Sequence, residues 1–270
     1  EINSEEALSI YRYLIVDRGY EIEVNDFFER TTSRCPIICL LKGKLVFSFK
    51  HRSFAEFFFA RSMISNKGLA TLNDKAFSGY WAHSLYFYVG LLEDPDSAIQ
   101  QIVELEPKNY FQFFTKYTTL SDILMAGYAA TNKTIVSGIS EGAKTAARFY
   151  LDAIKKPEDS PLKTFSQIHL LWIMQFTFKS SYSYEFLLKR FDDAANFILE
   201  TIQDTETQIV ALFALEVTLL EQQMHAEFRY LSSIGSDLPI AIKLGIGHES
   251  LGKKKVKFVK KMDKHIKERC

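Results

Sequence analysis

Residues 47–60 read FSFKHRSFAEFFFA, and this stretch decides the fold of the N-terminal part of the chain. Residues 44–50 alternate polar with apolar side chains, which is the two-residue period of a strand with one buried face. Ser53 and Glu56 then have the S-x-x-E spacing of a capping box, so we predict a helix that begins immediately after the serine. One side chain, His51, joins the strand to the helix.

Two helices and a second strand are predicted before this stretch. The helical segments each follow a capping side chain: residues 5–16 after Ser4, and residues 26–32 after Asn25. Residues 37–41 form a short apolar run, and Lys42-Gly43 then supplies the glycine that a tight hairpin turn favours. Helices followed by a β-hairpin predict a winged-helix domain over residues 1–66, with the hairpin as its wing.

The pattern F-x-H-x-S-F-x-E-F-F-x-A, at residues 49–60, resembles the motif that closes the winged-helix domain of NACHT-type STAND NTPases, the relatives of NOD-like receptors. Weaker similarity extends to residues 27–31 and 81–92 and stops at about Pro107. In this family the winged-helix histidine contacts the phosphates of ADP and holds the closed, resting state. The resemblance assigns that role to His51, whose imidazole can donate to a phosphate oxygen and can change charge near neutral pH. The alternative is that His51 is only a structural junction.

The resemblance also implies what surrounds the chain. We expect the NTPase module, with its ADP or ATP and Mg²⁺, to precede Glu1, so that the present residues are a C-terminal piece with no enzymatic activity and no cofactor of their own. The expected partners are that module in cis, an unidentified trigger that is a protein, and further copies in a homo-oligomer of the full-length receptor. The expected setting is antiviral or innate immune signalling in the cytoplasm of a microbe, with no membrane partner.

From residue 67 onward the pattern is helical, so the chain as a whole is predicted to be mainly α. Apolar stripes at helical spacing run through residues 187–198 and 209–220. Breaks near residues 156, 180, 203 and 235 separate consecutive helices of about 15–20 residues. We predict an irregular HEAT- or TPR-like array over residues 67–250, a sensor domain whose concave surface binds a protein. A compact irregular helical domain is the alternative.

Residues 251–270 are predicted to form a basic amphipathic terminal helix. From residue 253 onward, eight Lys and one Arg stand against one Asp and one Glu, a net charge of +7, although the whole chain balances 33 basic with 33 acidic residues. The candidate contacts to an anion or nucleic acid are Lys253, Lys254, Lys255, Lys257, Lys260 and Lys261. A solvated helix is the simpler alternative. For the chain as a whole, the alternative function is that of a stand-alone helical adaptor that binds protein or nucleic acid.

No catalytic or metal-binding constellation is found in the sequence. The three cysteines lack C-x-x-C spacing, and no apolar run approaches the roughly 18 residues of a membrane span. Residues 247–253 fit G-x-x-x-x-G-K, but Lys254 replaces the Ser or Thr of a phosphate-binding loop. His225-Ala226-Glu227 matches only half of a zinc-deaminase signature, and we predict that it lies on a helix surface.

Overall fold

The computed structural model describes residues 2–34, 38–41, 46–65, 76–79, 81–155, 160–234 and 238–250. Within these residues the chain is mainly helical, as predicted. It divides into two compact units, Glu1–Asn66 and Lys67–Cys270. None of the helices in the described ranges is long and apolar enough to cross a membrane.

Short strands and three helices make up the described part of the first unit. The strands are β1 (Ile2–Asn3), β2 (Ile38–Leu41) and β3 (Val46–Phe49), and the helices are α1 (Ser4–Asp17), α2 (Val24–Arg34) and α3 (Arg52–Ser65). β3 is central, with β1 and β2 antiparallel on either side, and Cys39 lies opposite Ser48. The predicted turn Lys42-Gly43 lies outside the described residues. The assignment of this unit as a winged helix stays a prediction.

The first two helices begin earlier than the sequence predicted. Asn3, and not Ser4, caps α1: its Oδ1 accepts the Glu6 N–H at 2.8 Å, and the Glu6 carboxylate accepts the Asn3 N–H at 3.0 Å. The reciprocal bonds form because Glu6 stands three residues after Asn3, the spacing of a capping box. α2 begins at Val24, so the predicted cap Asn25 is already inside the first turn.

Ten helices form the described part of the second unit. They are α4 (Ala82–Gly90), α5 (Asp96–Glu104), α6 (Tyr110–Ala126), α7 (Asn132–Lys155), α8 (Gln167–Tyr182), α9 (Glu185–Leu188), α10 (Phe191–Thr201), α11 (Thr205–Glu221), α12 (Tyr230–Ile234) and α13 (Ile240–Ser250). α11 is a core helix, because every residue from Ile209 to Leu219 is buried.

The main contacts of the second unit join helices that lie near one another in the chain. α7 contacts α5, α6, α8, α10 and α11, and α11 contacts α7, α8, α10, α12 and α13. In a HEAT or TPR array each helical pair contacts only its neighbours, and these contacts agree with that pattern as well as with a compact irregular helical domain. The array and its alternative therefore both stay predictions. Neighbouring side chains approach α7 closely at two glycines, since a Cβ at Gly138 would overlap Leu124 and one at Gly142 would overlap Tyr182.

Candidate functional site

His51 occupies the junction between β3 and α3. Because α3 begins at Arg52, two residues ahead of the predicted start, His51 is the residue that immediately precedes the helix. The Phe54 N–H donates to the His51 carbonyl at 3.1 Å, and the Ser53 N–H donates to the imidazole Nδ1 at 3.2 Å. The Ser53 Oγ lies 2.6 Å from the same nitrogen. The imidazole thus caps the helix and remains exposed to solvent.

The predicted capping box between Ser53 and Glu56 is not the arrangement found. The Glu56 Oε1 accepts a hydrogen bond from Arg52 Nε at 2.6 Å, and the Glu56 side chain is buried. With the helix starting at Arg52, Glu56 is its fifth residue and not its third, which puts its carboxylate a turn past the N–H groups that a capping box serves. The three predicted residues are therefore grouped at one junction, but with different bonds.

The charge at the start of α3 suits an anion. The first turn contains no acidic residue, and its first residue is Arg52. An anion placed at the positive end of the helix dipole would be attracted by the dipole, whereas the Arg52 guanidinium already pairs with the Glu56 carboxylate. Arg52 was not among the predicted site residues, although it directly follows His51 in the sequence.

All six lysines that were predicted to contact an anion or nucleic acid belong to residues 251–270, which lie outside the described residues. Their role stays a prediction.

A buried ion pair lies at the centre of the second unit. The Lys116 ammonium is completely buried and donates to the carbonyls of Val103 and Leu105, at 2.8 and 3.0 Å, and to Glu141 Oε1 at 2.7 Å. Lys144 binds the other Glu141 oxygen at 2.9 Å. Desolvation lowers the Lys116 pKa, and the Glu141 carboxylate opposes this effect. Lys116 therefore closes the C-terminal end of α5.

His225 does not lie on a helix surface, contrary to the prediction. It lies between α11 and α12, and its side chain is only 6% exposed. Its Nε2 is 3.2 Å from Asp192 Oδ2, while the Tyr230 hydroxyl donates to Asp192 Oδ1 at 3.0 Å. Burial, aided by Asp192, raises the pKa of Tyr230 to about 12. The described ranges contain no group of three His, Cys, Asp or Glu side chains that could hold a metal.

Glu216 organises the same region through the backbone. Its buried carboxylate accepts the N–H groups of Arg229, Tyr230 and Leu231 at 2.5, 2.8 and 2.8 Å, at the start of α12. Such convergent donors compensate a buried negative charge. The partners are 13 to 15 residues from Glu216 in sequence, so the contact could not be predicted from local sequence spacing.

A cleft of about 420 Å³ lies between α5, α7, α10 and the start of α11. Its charged lining is already paired, because Glu141 binds Lys116 and Lys144, and Asp204 accepts the Thr207 N–H at 3.0 Å. The charged side chains named here are thus engaged in ion pairs and in the cap of α11.

The second unit shows which known proteins the chain is related to. Residues 122–270 match the family described as NACHT C-terminal Helical domain 1, and this match covers more than half of the chain. The chain belongs to this family. The NACHT C-terminal helical domain 1 match begins within α6 and includes α7 to α13. The resemblance predicted from the sequence had stopped before this region, at about Pro107. No curated protein and no solved structure matches the chain.

The NACHT C-terminal helical domain 1 assignment confirms the association with NACHT proteins that the motif at residues 49–60 had indicated. It places the matched residues in a helical region that is distinct from the catalytic NTPase module. The match begins after the first unit, so it does not extend to His51.

Proposed function

We propose that this chain is the regulatory C-terminal region of a NACHT-type NTPase. In this proposal the first unit is a winged helix that stabilises the ADP-bound resting state, and the second unit recognises a trigger, most simply a protein. The match of residues 122–270 to a NACHT C-terminal helical domain carries the proposal. The motif at residues 49–60 supports the assignment of the first unit.

The geometry at the start of α3 is compatible with a phosphate contact from His51. The side chain is exposed, and its Nδ1 is engaged by Ser53, which leaves Nε2 as the nitrogen that can meet a ligand. The first turn of α3 contains no acidic residue, and Arg52 pairs with Glu56 further along the helix. A phosphate of ADP, held with Mg²⁺ by the NTPase module in cis, would complete the contact in the closed state.

Regulation then follows from a difference in binding between two states. The hydrogen bond from His51 to ADP exists only when the first unit is closed on the NTPase module, so it favours the resting state. A trigger that binds the second unit opens the protein only to the extent that it binds the open state more tightly. In this proposal the open, ATP-bound protein assembles with further copies during cytoplasmic defence signalling.

Two substitutions at His51 separate the phosphate contact from the helix cap. Asn is a favoured N-cap residue and supplies an acceptor near the position of Nδ1, but it has no group at the position of Nε2. His51→Asn in the full-length protein should therefore keep the fold and speed ADP release by about tenfold, the value of one hydrogen bond to a charged group. His51→Ala should speed release similarly and also weaken α3.

The measurement is the dissociation rate of labelled ADP from the full-length protein, together with its ATP-dependent assembly by size-exclusion chromatography. His169→Asn is the matched control, because His169 is also exposed and also lies near a serine hydroxyl, but belongs to the second unit. If the His51→Asn and His169→Asn variants release ADP equally slowly, His51 is a structural junction. The alternative function, a helical adaptor that binds protein or nucleic acid, then gains support.

A further inference from the structure

We propose that Ser53 positions His51 by holding its imidazole as the tautomer that carries hydrogen on Nε2. The phosphate contact of this inference rests on the proposed function, whereas the tautomer is a property of the first unit alone. Ser53 is thus a positioning residue, because it acts through His51 and does not itself touch the ligand.

The backbone contact decides the tautomer. A backbone N–H can only donate, so the Ser53 N–H at 3.2 Å from Nδ1 requires a lone pair on that nitrogen. In a neutral imidazole one nitrogen accepts and the other carries hydrogen. The hydrogen of His51 is therefore on Nε2.

The hydroxyl contact is compatible with this tautomer. Ser53 Oγ is 2.6 Å from Nδ1, and a hydroxyl can donate or accept. Because Nδ1 is an acceptor for the backbone, the hydroxyl donates as well, and the two donors share one lone pair. With a hydrogen on Nδ1 the hydroxyl would accept instead and the backbone contact would be lost, so the backbone N–H of Ser53 selects the tautomer.

The start of α3 also fixes the direction of the imidazole ring. Both donors belong to the second residue of the helix, so they hold Nδ1 against the first turn while the side chain as a whole stays exposed. Nε2–H is then aimed away from the helix cap before any ligand arrives. Groups held ready in this way contribute more to binding than groups that must first be ordered.

His169 provides an internal comparison in the same chain. Its Nδ1 lies 2.9 Å from the Ser166 Oγ, and this hydroxyl is able to donate or accept. The described contacts of His169 include no backbone N–H to Nδ1. A serine hydroxyl alone does not select a tautomer, so His169 should populate both.

Nitrogen NMR of the 270-residue chain, labelled with ¹⁵N histidine, measures the tautomers directly at a pH where the imidazoles are neutral. The His51 signals are identified by their loss in His51→Asn. We expect His51 to show almost only the Nε2–H form and His169 a mixture. Ser53→Ala keeps the backbone donor and removes only the hydroxyl, so this variant should keep the Nε2–H form.

A His51 with hydrogen on Nδ1, or with the same mixture as His169, would overturn the inference. So would loss of the Nε2–H form in a folded Ser53→Ala chain, because this variant keeps the backbone donor. Failure of the proposed function has a different signature: His51 then shows the Nε2–H form in both chains, while ADP release from the full-length protein is unaffected by His51→Asn.

Discussion

Single ionisable side chains complete the ends of three helices in this protein. His51 caps the start of α3, Lys116 closes the end of α5, and Glu216 receives the N–H groups at the start of α12. Each satisfies backbone groups that a helix end leaves without partners. Lys116 and Glu216 do so from within the core, where an unpaired charge would be costly.

The buried Lys116 should be essential for stability. Lys116→Met removes the ammonium and leaves two carbonyls and one Glu141 oxygen without their donor, so we expect a loss of about 3 kcal/mol in the free energy of unfolding. Lys144→Met is the matched control. It breaks a partly exposed pair with the same glutamate and should cost less than about 1 kcal/mol.

Urea denaturation of the 270-residue chain measures both free energies. Equal losses for Lys116→Met and Lys144→Met would show that burial does not govern the strength of these two bonds, in disagreement with the structure.

At the scale of elements, α7 and α8 depend on a close approach between Gly142 and Tyr182. A Cβ on Gly142 would overlap the Tyr182 hydroxyl, which has no hydrogen-bond partner in the described part of the chain. Burial raises the pKa of Tyr182 well above its usual range. The glycine is therefore required by the neighbouring helix, although glycine lowers the intrinsic stability of α7 itself.

Gly142→Ala should destabilise the protein by about 1–3 kcal/mol, because overpacking outweighs the gain in helix propensity. Tyr182→Phe removes the overlapping hydroxyl and should be neutral or slightly stabilising, since that hydroxyl is unpaired. The double variant should therefore lose less stability than Gly142→Ala alone.

Thermal unfolding of the four proteins gives the coupling energy of this pair. Gly90→Ala is the control, because its Cβ would meet Ala126 Cβ at an ordinary 3.6 Å and should not destabilise α4. Additive effects of Gly142→Ala and Tyr182→Phe would mean that the two helices do not meet through these atoms.

At the scale of the whole molecule, the two units differ in how much apolar surface they bury. In the first unit α1 leaves Ile10, Tyr13 and Leu14 largely exposed, and α2 has no buried residue. In the second unit burial raises the pKa of Tyr110, Tyr150 and Tyr230 to about 12, and it raises the pKa of Tyr117 and of Tyr182 well above the usual range. The second unit therefore carries most of the pH-sensitive stability at high pH.

Alkaline pH should destabilise the second unit. A phenol with a raised pKa binds its proton more tightly when folded, so its contribution is complete below the unfolded value near 10 and is lost as the pH rises toward 12. Lys116 has a lowered pKa and acts in the opposite direction, but it is one group against several tyrosines with a raised pKa. We expect the free energy of unfolding to fall between about pH 10 and pH 12.

Urea denaturation across this pH range, with tyrosinate absorbance as a second signal, measures the effect. Tyr150→Phe should reduce the slope, because it removes one shifted group. A free energy of unfolding that stays constant up to pH 12 would contradict the burial of these tyrosines.

Features that depend on neighbours in the chain were open to prediction from sequence. Alternation before His51 and the helix after it are local patterns, and the predicted order of strand, histidine and helix is present. The predicted breaks near residues 156, 180, 203 and 235 lie close to the ends of α7, α8, α10 and α12. The motif at residues 49–60 also indicated the NACHT association by itself.

Only the tertiary structure decided how these elements pack and where their polar groups pair. The packing of helices against α7 and α11 is one such feature. The Lys116–Glu141 pair and the contact of His225 with Asp192 are others, and they join residues 25 and 33 positions apart. Even the start of α3 at Arg52 depended on which side chain reached the free N–H groups. The sequence alone determined local hydrogen-bonding patterns and apolar periodicity, because both are set within a few residues. Contacts between distant segments exist only after the whole core has closed.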